Sequence, residues 1–331
     1  MTGIRPAPGG MHLGHFIGDV MPAIQGVENN AGTYFILADL HTFSEFSDTA
    51  LNKDKSKKGV FDLIADVLAC GANPAKINFC LQSLISRNLL PLYCLIGGLV
   101  NVPRVKRIPA LKVLLNDDLS KVNMTMFNFP LIEVIDILAI RATDVYSNTD
   151  NKPLIELAKE LAVKFNRRFG YLFPEPKLVH GKVPFLVGTD GTKMSKSKGN
   201  CIFLNDNTET VKKKVMRMFT DPSRIRADIP GTTENNPVFI YQRLFNPNCG
   251  QVEDLEKLYK SGKIGDVEVK ENLVSVIEAL IAPLRAKSAE IRSQESNLVE
   301  ILHEGIAKSE QRVNATIELF METAGLKWTE F

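Results

Sequence analysis

Thr33-Tyr34-Phe35-Ile36-Leu37-Ala38-Asp39-Leu40 is the stretch that decides the architecture. It gathers aromatic and β-branched residues into one short apolar run, the composition of a buried strand. Lys76 to Leu81 reads as a second strand of the same kind. Between them, Lys58 to Cys70 places Val60, Ile64, Val67 and Leu68 at helical spacing, and Gly71 and Pro74 close the helix. Strand, helix and strand in this order form a parallel crossover unit. The first half of the chain is therefore expected to be an α/β domain with a parallel sheet covered by helices.

Working outward, residues 183 to 187 (Val-Pro-Phe-Leu-Val) read as a late strand that delivers the chain to the loop beginning at Gly188. Beyond Asp206 the periodicity becomes helical throughout. Val211, Val215, Met218 and Phe219 form one apolar stripe, and Leu273, Ile277, Leu280 and Ile281 a second. Ile301, Leu302, Ile306, Val313, Ile317 and Phe320 form a third, while residues 231–236 and 262–266 read as loops. The expected division is 1–204 for a catalytic nucleotide-binding domain and 205–331 for an all-helical domain. A chain of 331 residues exceeds what one hydrophobic core usually holds.

An apolar content of 44% is that of a folded globular protein, and no run approaches the roughly 20 apolar residues of a spanning helix. With no basic segment followed by an apolar one at the N-terminus, a cytoplasmic address is expected. Cys70, Cys80, Cys94, Cys201 and Cys249 lack C-x-x-C spacing, which argues against a disulfide framework, a structural zinc or an iron–sulfur cluster. They are expected to be reduced core residues, and no protein-held metal is expected. The net charge of +2 decides nothing about nucleic acid, because binding depends on where charge sits.

Two motifs carry chemistry. Gly188-Thr189-Asp190-Gly191-Thr192 leads into Lys193-Met194-Ser195-Lys196-Ser197, two lysines and two hydroxyls on a Gly-rich loop. Such a loop suits closure over a polyphosphate, with lysines as point charges on flexible stems. Near the N-terminus, Thr2-Gly3-Ile4-Arg5-Pro6 is followed by Gly9-Gly10-Met11-His12-Leu13-Gly14-His15. His12 and His15, i and i+3 at a strand-to-helix junction, would present both rings to one side, where helical N–H groups attract phosphate. Gly9, Gly10 and Gly14 would let a nucleotide approach the backbone. Lys112, after Arg104, Lys106 and Arg107, either reaches the same phosphates from the opposite side or belongs to a solvated basic face.

The two motifs together resemble the paired signatures of class I aminoacyl-tRNA synthetases. Phe129-Pro130, Asp136-Ile137-Leu138, residues 148–156 and Lys164-Phe165-Asn166 are similar to the matching stretches of tryptophanyl-tRNA synthetases, and the similarity runs on through Thr220-Asp221-Pro222 and Gly265-Asp266. This resemblance implies a Rossmann-like domain, Mg²⁺ and ATP, tryptophan as substrate, tRNA(Trp) as partner, and a homodimer. It implies that His12, His15, Lys193, Lys196 and Lys112 serve catalysis. Arg5, Gly9, Gly14, Gly18, Asp150, Met194 and Ser195, with His15 and the lysines, would hold ATP. Ile4, Asp136 and Ile137 would line the amino-acid pocket, with Asp136 accepting the indole N–H, and Glu133 either joins them or points to solvent; Asp39, His41 and Gln82, at strand ends, either line the pocket too or serve the structure. Indole donates only, so an acceptor-only partner suits it, whereas a phenol needs both functions. The helical domain would contact the anticodon, where Arg217, Arg224 and Arg226 either meet phosphates or form a solvated face.

The chain departs from that pattern in its pocket. Glu133 stands where the resembled enzymes carry Met or Gln, Asn148 and Asn151 replace the Gly and Gln that flank Asp150, and the chain begins almost at Thr2-Gly3. These changes leave open the same chemistry on tyrosine or another amino acid, and a paralogue that makes adenylate without charging tRNA.

Overall fold

The computed structural model describes residues 1–6, 9–27, 32–44, 53–117, 122–181, 183, 185–196, 198–221 and 224–327. Ser197 and Pro222, and part of the 183–187 run, lie outside them. The apolar run at residue 33 forms β2 (Thr33–Leu37), flanked by β1 (Thr2–Ile4) and β3 (Ile77–Leu81). Both pairings are parallel, with Thr2 opposite Phe35 and Thr33 opposite Ile77. Between β2 and β3 runs α1 (Lys53–Ala69), which begins earlier than its apolar stripe because its first turns are polar and exposed. A second parallel pair, β4 (Asp144–Tyr146) and β5 (Lys177–Val179), follows α2 (Met124–Ala139) and encloses α3 (Lys152–Phe169).

Met1 joins the two sheets. Its ammonium donates to Asp144 O at 2.5 Å, and its carbonyl accepts from Tyr146 N at 2.8 Å. The strand order is therefore β3-β2-β1-β4-β5, and the order reverses between β1 and β4. In parallel sheets ligands settle outside the carboxyl ends of the strands at that reversal.

The late strand expected at 183–187 is not formed among the described residues. Only Val187 pairs, in an antiparallel bridge to Lys193, and Phe185 is 53% exposed. The backbone instead closes a local hairpin, with Gly188 N donating to Thr192 O and Thr189 N to Asn200 O. Val215 ends its stripe in the helix Thr208–Met216, so Phe219 lies beyond that helix and is 48% exposed.

The later helices do not build a core of their own. α4 (Asp266–Ser293) packs on α1, and α5 (Glu295–Thr323) crosses β3. Leu273, Ile277, Leu298 and Leu302 share one apolar cluster with Phe35, Leu63 and Phe79. Gly305 allows the contact, because a Cβ there would stand 2.1 Å from Phe79 O. The boundary at 204/205 thus marks a change of secondary structure and not a division of cores. Among the cysteines, all five are free, but Cys94 and Cys249 are exposed, so the expectation of core residues fails for those two. Both sit on outer helix faces that the spacing of isolated cysteines could not reveal.

Candidate active site

Two adjoining cavities open at the reversal. The first, about 350 Å³, lies between β1, α2 and the start of α3; the second, about 360 Å³, lies over the helical turn Leu13–His15. Gly3, Arg5 and Asn151 belong to the walls of both.

The second cavity collects the two motifs. After β1 the chain turns through Gly10, whose φ of 71° is open to glycine at little cost. A Cβ there would also meet Asp66 Oδ2 at 2.3 Å. That carboxylate accepts from Met11 N at 2.9 Å, Ser288 Oγ at 2.6 Å and Arg292 at 2.8 Å, tying the motif to α1 and α4. Burial raises Asp66, opposed by these donors. His12 caps the helical turn, its Nδ1 accepting from His15 N at 3.2 Å. The rings stack 3.7 Å apart, so the expected shared side is formed. Burial, reinforced by Lys196, pushes His12 down to about 3, and burial with His12 and Lys196 pushes His15 well below its usual range. Both imidazoles are neutral and act as hydrogen-bonding groups. His15 Nδ1 is buried with no partner, a polar atom that a ligand could satisfy.

The lysine loop reaches this cavity through backbone pairing that links distant segments. Leu13 N donates to Ile202 O and Leu204 N to Met11 O, so the exit of the loop runs beside the first motif. Lys193 and Met194 line the cavity, and Lys193 Nζ lies 2.6 Å from Asp150 Oδ2. Both partners are well exposed, so this pair is worth little and can open for a phosphate. Lys196 Nζ donates to Gly10 O at 3.1 Å. Ser195 offers its backbone N to Asn200 Oδ1 at 2.8 Å and lines neither cavity. Ile4 and Gly14 are wall residues, whereas Gly9 packs near Phe203 and Gly18 lies against Asn148. Lys112 stands exposed on the helix Pro109–Asp117 and lines neither cavity, which is the solvated-face arrangement.

The first cavity is mainly apolar, walled by Ile36, Phe129, Ile137, Val145, Leu154 and Ile155. Asp136 projects from α2 and is 5% exposed. Its Oδ2 accepts from Gln82 Nε2 at 2.5 Å, while Oδ1 is buried without a partner. Gln82 Oε1 in turn meets His41 Nδ1 at 3.1 Å. Burial raises Asp136 well above the carboxylate range; the Gln82 amide opposes this, and Glu133 and Asp39 add to it. Burial also lowers His41. Asp39 is engaged elsewhere, its Oδ1 accepting from Ser83 N at 2.9 Å. Glu133, on the same helical face as Asp136, also lines the cavity, with Oε1 3.9 Å from His41 Nε2. Burial, with Asp150 adding, pushes Glu133 up to about 7, and Arg5 opposes.

Three residues escaped the sequence reading. Asn200 donates to Asp190 at 2.9 Å and Lys193 O at 3.1 Å while accepting from Ser195 N, so it holds the lysine loop's shape. Its position just after Lys198-Gly199 was the available signal. Asp66 belongs to neither motif, and its helix carries several other charges. Asp19, a wall of the second cavity, takes bonds from Ser147 and Asn148 at 3.3 Å, and burial raises it to about 8. Arg224 corrects both readings offered for it. It is buried over Tyr259 and donates to Ile229 O, Ala227 O and Ile264 O, so its charge is spent on loop carbonyls inside the fold. Arg226 pairs with Asp228 on the surface, and Arg217 is exposed.

With this geometry in view, the family described as "tRNA synthetases class I (W and Y)" matches residues 1–282. Among curated proteins, the tryptophan–tRNA ligase of Treponema pallidum is 39% identical over 98% of this chain and 96% of its own length. That of Borreliella burgdorferi is 40% identical over 99% and 94%. Among solved structures, tryptophanyl-tRNA synthetase from Campylobacter jejuni, complexed with ADP and tryptophan, superposes with a TM-score of 0.80 at 27% identity, covering 98% of this chain and 99% of that one.

Proposed function

This chain belongs to the class I tRNA synthetases of the W and Y type, and from that membership we propose that it is a tryptophan–tRNA ligase with its active site in the two cavities. The observation that carries the substrate is Asp136 Oδ1, a buried acceptor without a donor at the floor of an apolar cavity. An unpaired buried acceptor costs roughly 1–3 kcal/mol, which an N–H donor on a flat ring relieves. Donation to the carboxylate also favours its ionised form.

The reaction runs in two transfers. A carboxylate oxygen of tryptophan attacks the α-phosphorus of ATP, and the bond to pyrophosphate breaks. A terminal ribose hydroxyl of the tRNA then attacks the tryptophanyl carbonyl carbon, AMP leaves, and the hydroxyl proton is lost. Lys193 and Lys196 place positive charge where the leaving pyrophosphate gains negative charge, the form of catalysis that acts chiefly in the transition state. Lys196 must leave Gly10 O, and Lys193 must exchange Asp150, to do so. The neutral His12 and His15 offer hydrogen bonds without adding charge repelled by the lysines. Arg5, in both walls, spans the point where carboxylate and phosphate meet. Among the described residues no three His, Cys, Asp or Glu side chains gather for a metal. Mg²⁺ would arrive on the nucleotide's phosphates, its usual mode.

The reading extends to a homodimer, a cytoplasmic address, and anticodon contact by residues 205–331. No helix among the described residues is long and apolar enough to cross a membrane. Pyrophosphate exchange measured with each of the twenty amino acids tests the assignment. Tryptophan should dominate; a preference for tyrosine, or exchange without charging of tRNA(Trp), would overturn it.

A further inference from the structure

We propose that Glu133 anchors the α-ammonium of the amino acid and so fixes its direction in the first cavity, ring towards Asp136 and carboxylate towards the second cavity. The inference rests on the proposed function and adds a role for a residue that departs from the resembled pattern.

Two carboxylates line the first cavity, and they are not equivalent. Asp136 is committed to Gln82 at the enclosed end. Glu133 lies one helical turn away on α2, and its strongest charged neighbours are Asp150, a wall of the second cavity, and Arg5, a wall of both. It is therefore the carboxylate at the end nearer the phosphates. An amino acid has its ammonium and carboxylate on one carbon, so a substrate with its ring at Asp136 and its carboxylate near the nucleotide brings the ammonium to Glu133.

Arg5 is a cation that faces Glu133, but as a wall of both cavities it is placed to meet the substrate's carboxylate as well, which leaves Glu133 to the ammonium. The Glu133 side chain is 36% accessible and lines the cavity, and His41 at 3.9 Å is beyond hydrogen-bond reach. Asn151, on the same wall, is engaged, its Nδ2 donating to Ser147 Oγ at 2.7 Å. A charge-assisted bond from an ammonium to an enclosed carboxylate is among the stronger polar contacts available. The groups facing Glu133 are His41 from the segment after β2, Arg5 after β1, Asp150 before α3 and Asp136 on its own helix. His41 is held neutral by burial and supplies no competing cation. Because an ionised Glu133 is required, affinity for a cationic ligand should fall as pH drops through about 7.

Two fragments of the substrate separate this role from general damage. Tryptamine keeps ring and ammonium; indole-3-propionate keeps ring and carboxylate. Calorimetric titration of the full chain and its Glu133→Gln and Glu133→Met variants should show about a tenfold or greater loss for tryptamine. Indole-3-propionate should bind both variants at least as well as the parent, which also reports that they are folded. Tryptamine affinity should vary with pH in the parent and flatten in Glu133→Gln. If the parent exchanges pyrophosphate with tryptophan but the variants lose both fragments equally, or neither, the anchor is overturned and the proposed function stands. A parent without tryptophan-dependent exchange overturns both.

Discussion

The two cavities have nearly equal volume and share three wall residues, yet they are built in opposite ways. The phosphate side draws its histidines and lysines from two contiguous motifs, residues 9–15 and 188–196, brought together by short backbone pairings, with Arg5, Asp19 and Asp150 completing its wall. The ring side draws single residues from β1, the segment after β2, the end of β3, α2, β4 and the start of α3. Phosphate is recognised by charge and backbone donors, which a short peptide can present; a ring is recognised by enclosure, which needs walls from many directions. Mutations on the phosphate side should therefore act on rate, and those on the ring side on affinity.

The largest effect tests the rate half. Lys196→Ala should slow adenylate formation about 100-fold or more, near 2.7 kcal/mol of barrier, with tryptophan affinity almost unchanged. Single-turnover quench measurements check this, and an unchanged rate would remove Lys196 from the machinery. The affinity half is tested next: Asp136→Ala should weaken tryptophan binding by about 1.5–3 kcal/mol, the range for hydrogen bonds to charged groups. Equal use of tryptophan and 1-methyltryptophan by the parent would break the assignment of Oδ1.

Asn200 sharpens the contrast, because it touches no wall of the ring cavity. Asn200→Ala should lower the activation rate about tenfold through a looser loop, about 1.4 kcal/mol, while KM for tryptophan stays put. A shift in KM with unchanged kcat would show that the loop is not rate-determining. The smallest effect concerns Asp19, raised from 3.8 to about 8 in the fold. The native state then holds this proton more tightly than the unfolded chain, so stability is lost as pH rises between those values. Asp19→Asn should melt with less dependence on pH over that window, and parallel melting curves for parent and variant would show that the carboxyl ionises freely.

Much of this was legible before the fold was known. The strand at residue 33, the crossover to β3, the helical second half and the two motifs follow from local composition and periodicity. The late strand misled because Val-Pro-Phe-Leu-Val has strand composition, while among its described residues only Val187 pairs, in a bridge to Lys193 at the base of the hairpin that Gly188 and Thr189 close. Arg224 misled because an arginine among polar neighbours reads as surface until loop carbonyls close around it.

The sequence by itself determined the parallel α/β unit, the helices and the phosphate chemistry, because periodicity and short motifs act within a few residues of chain. The tertiary structure alone decided that the later helices share the sheet's core, that Asp66 and Asn200 brace the motifs, and that Glu133 and Asp136 meet Gln82, His41 and Arg5 around one cavity. Burial, and with it the strength and protonation of each polar group, is a property of what surrounds a side chain on every side, and most of that surrounding comes from distant parts of the chain.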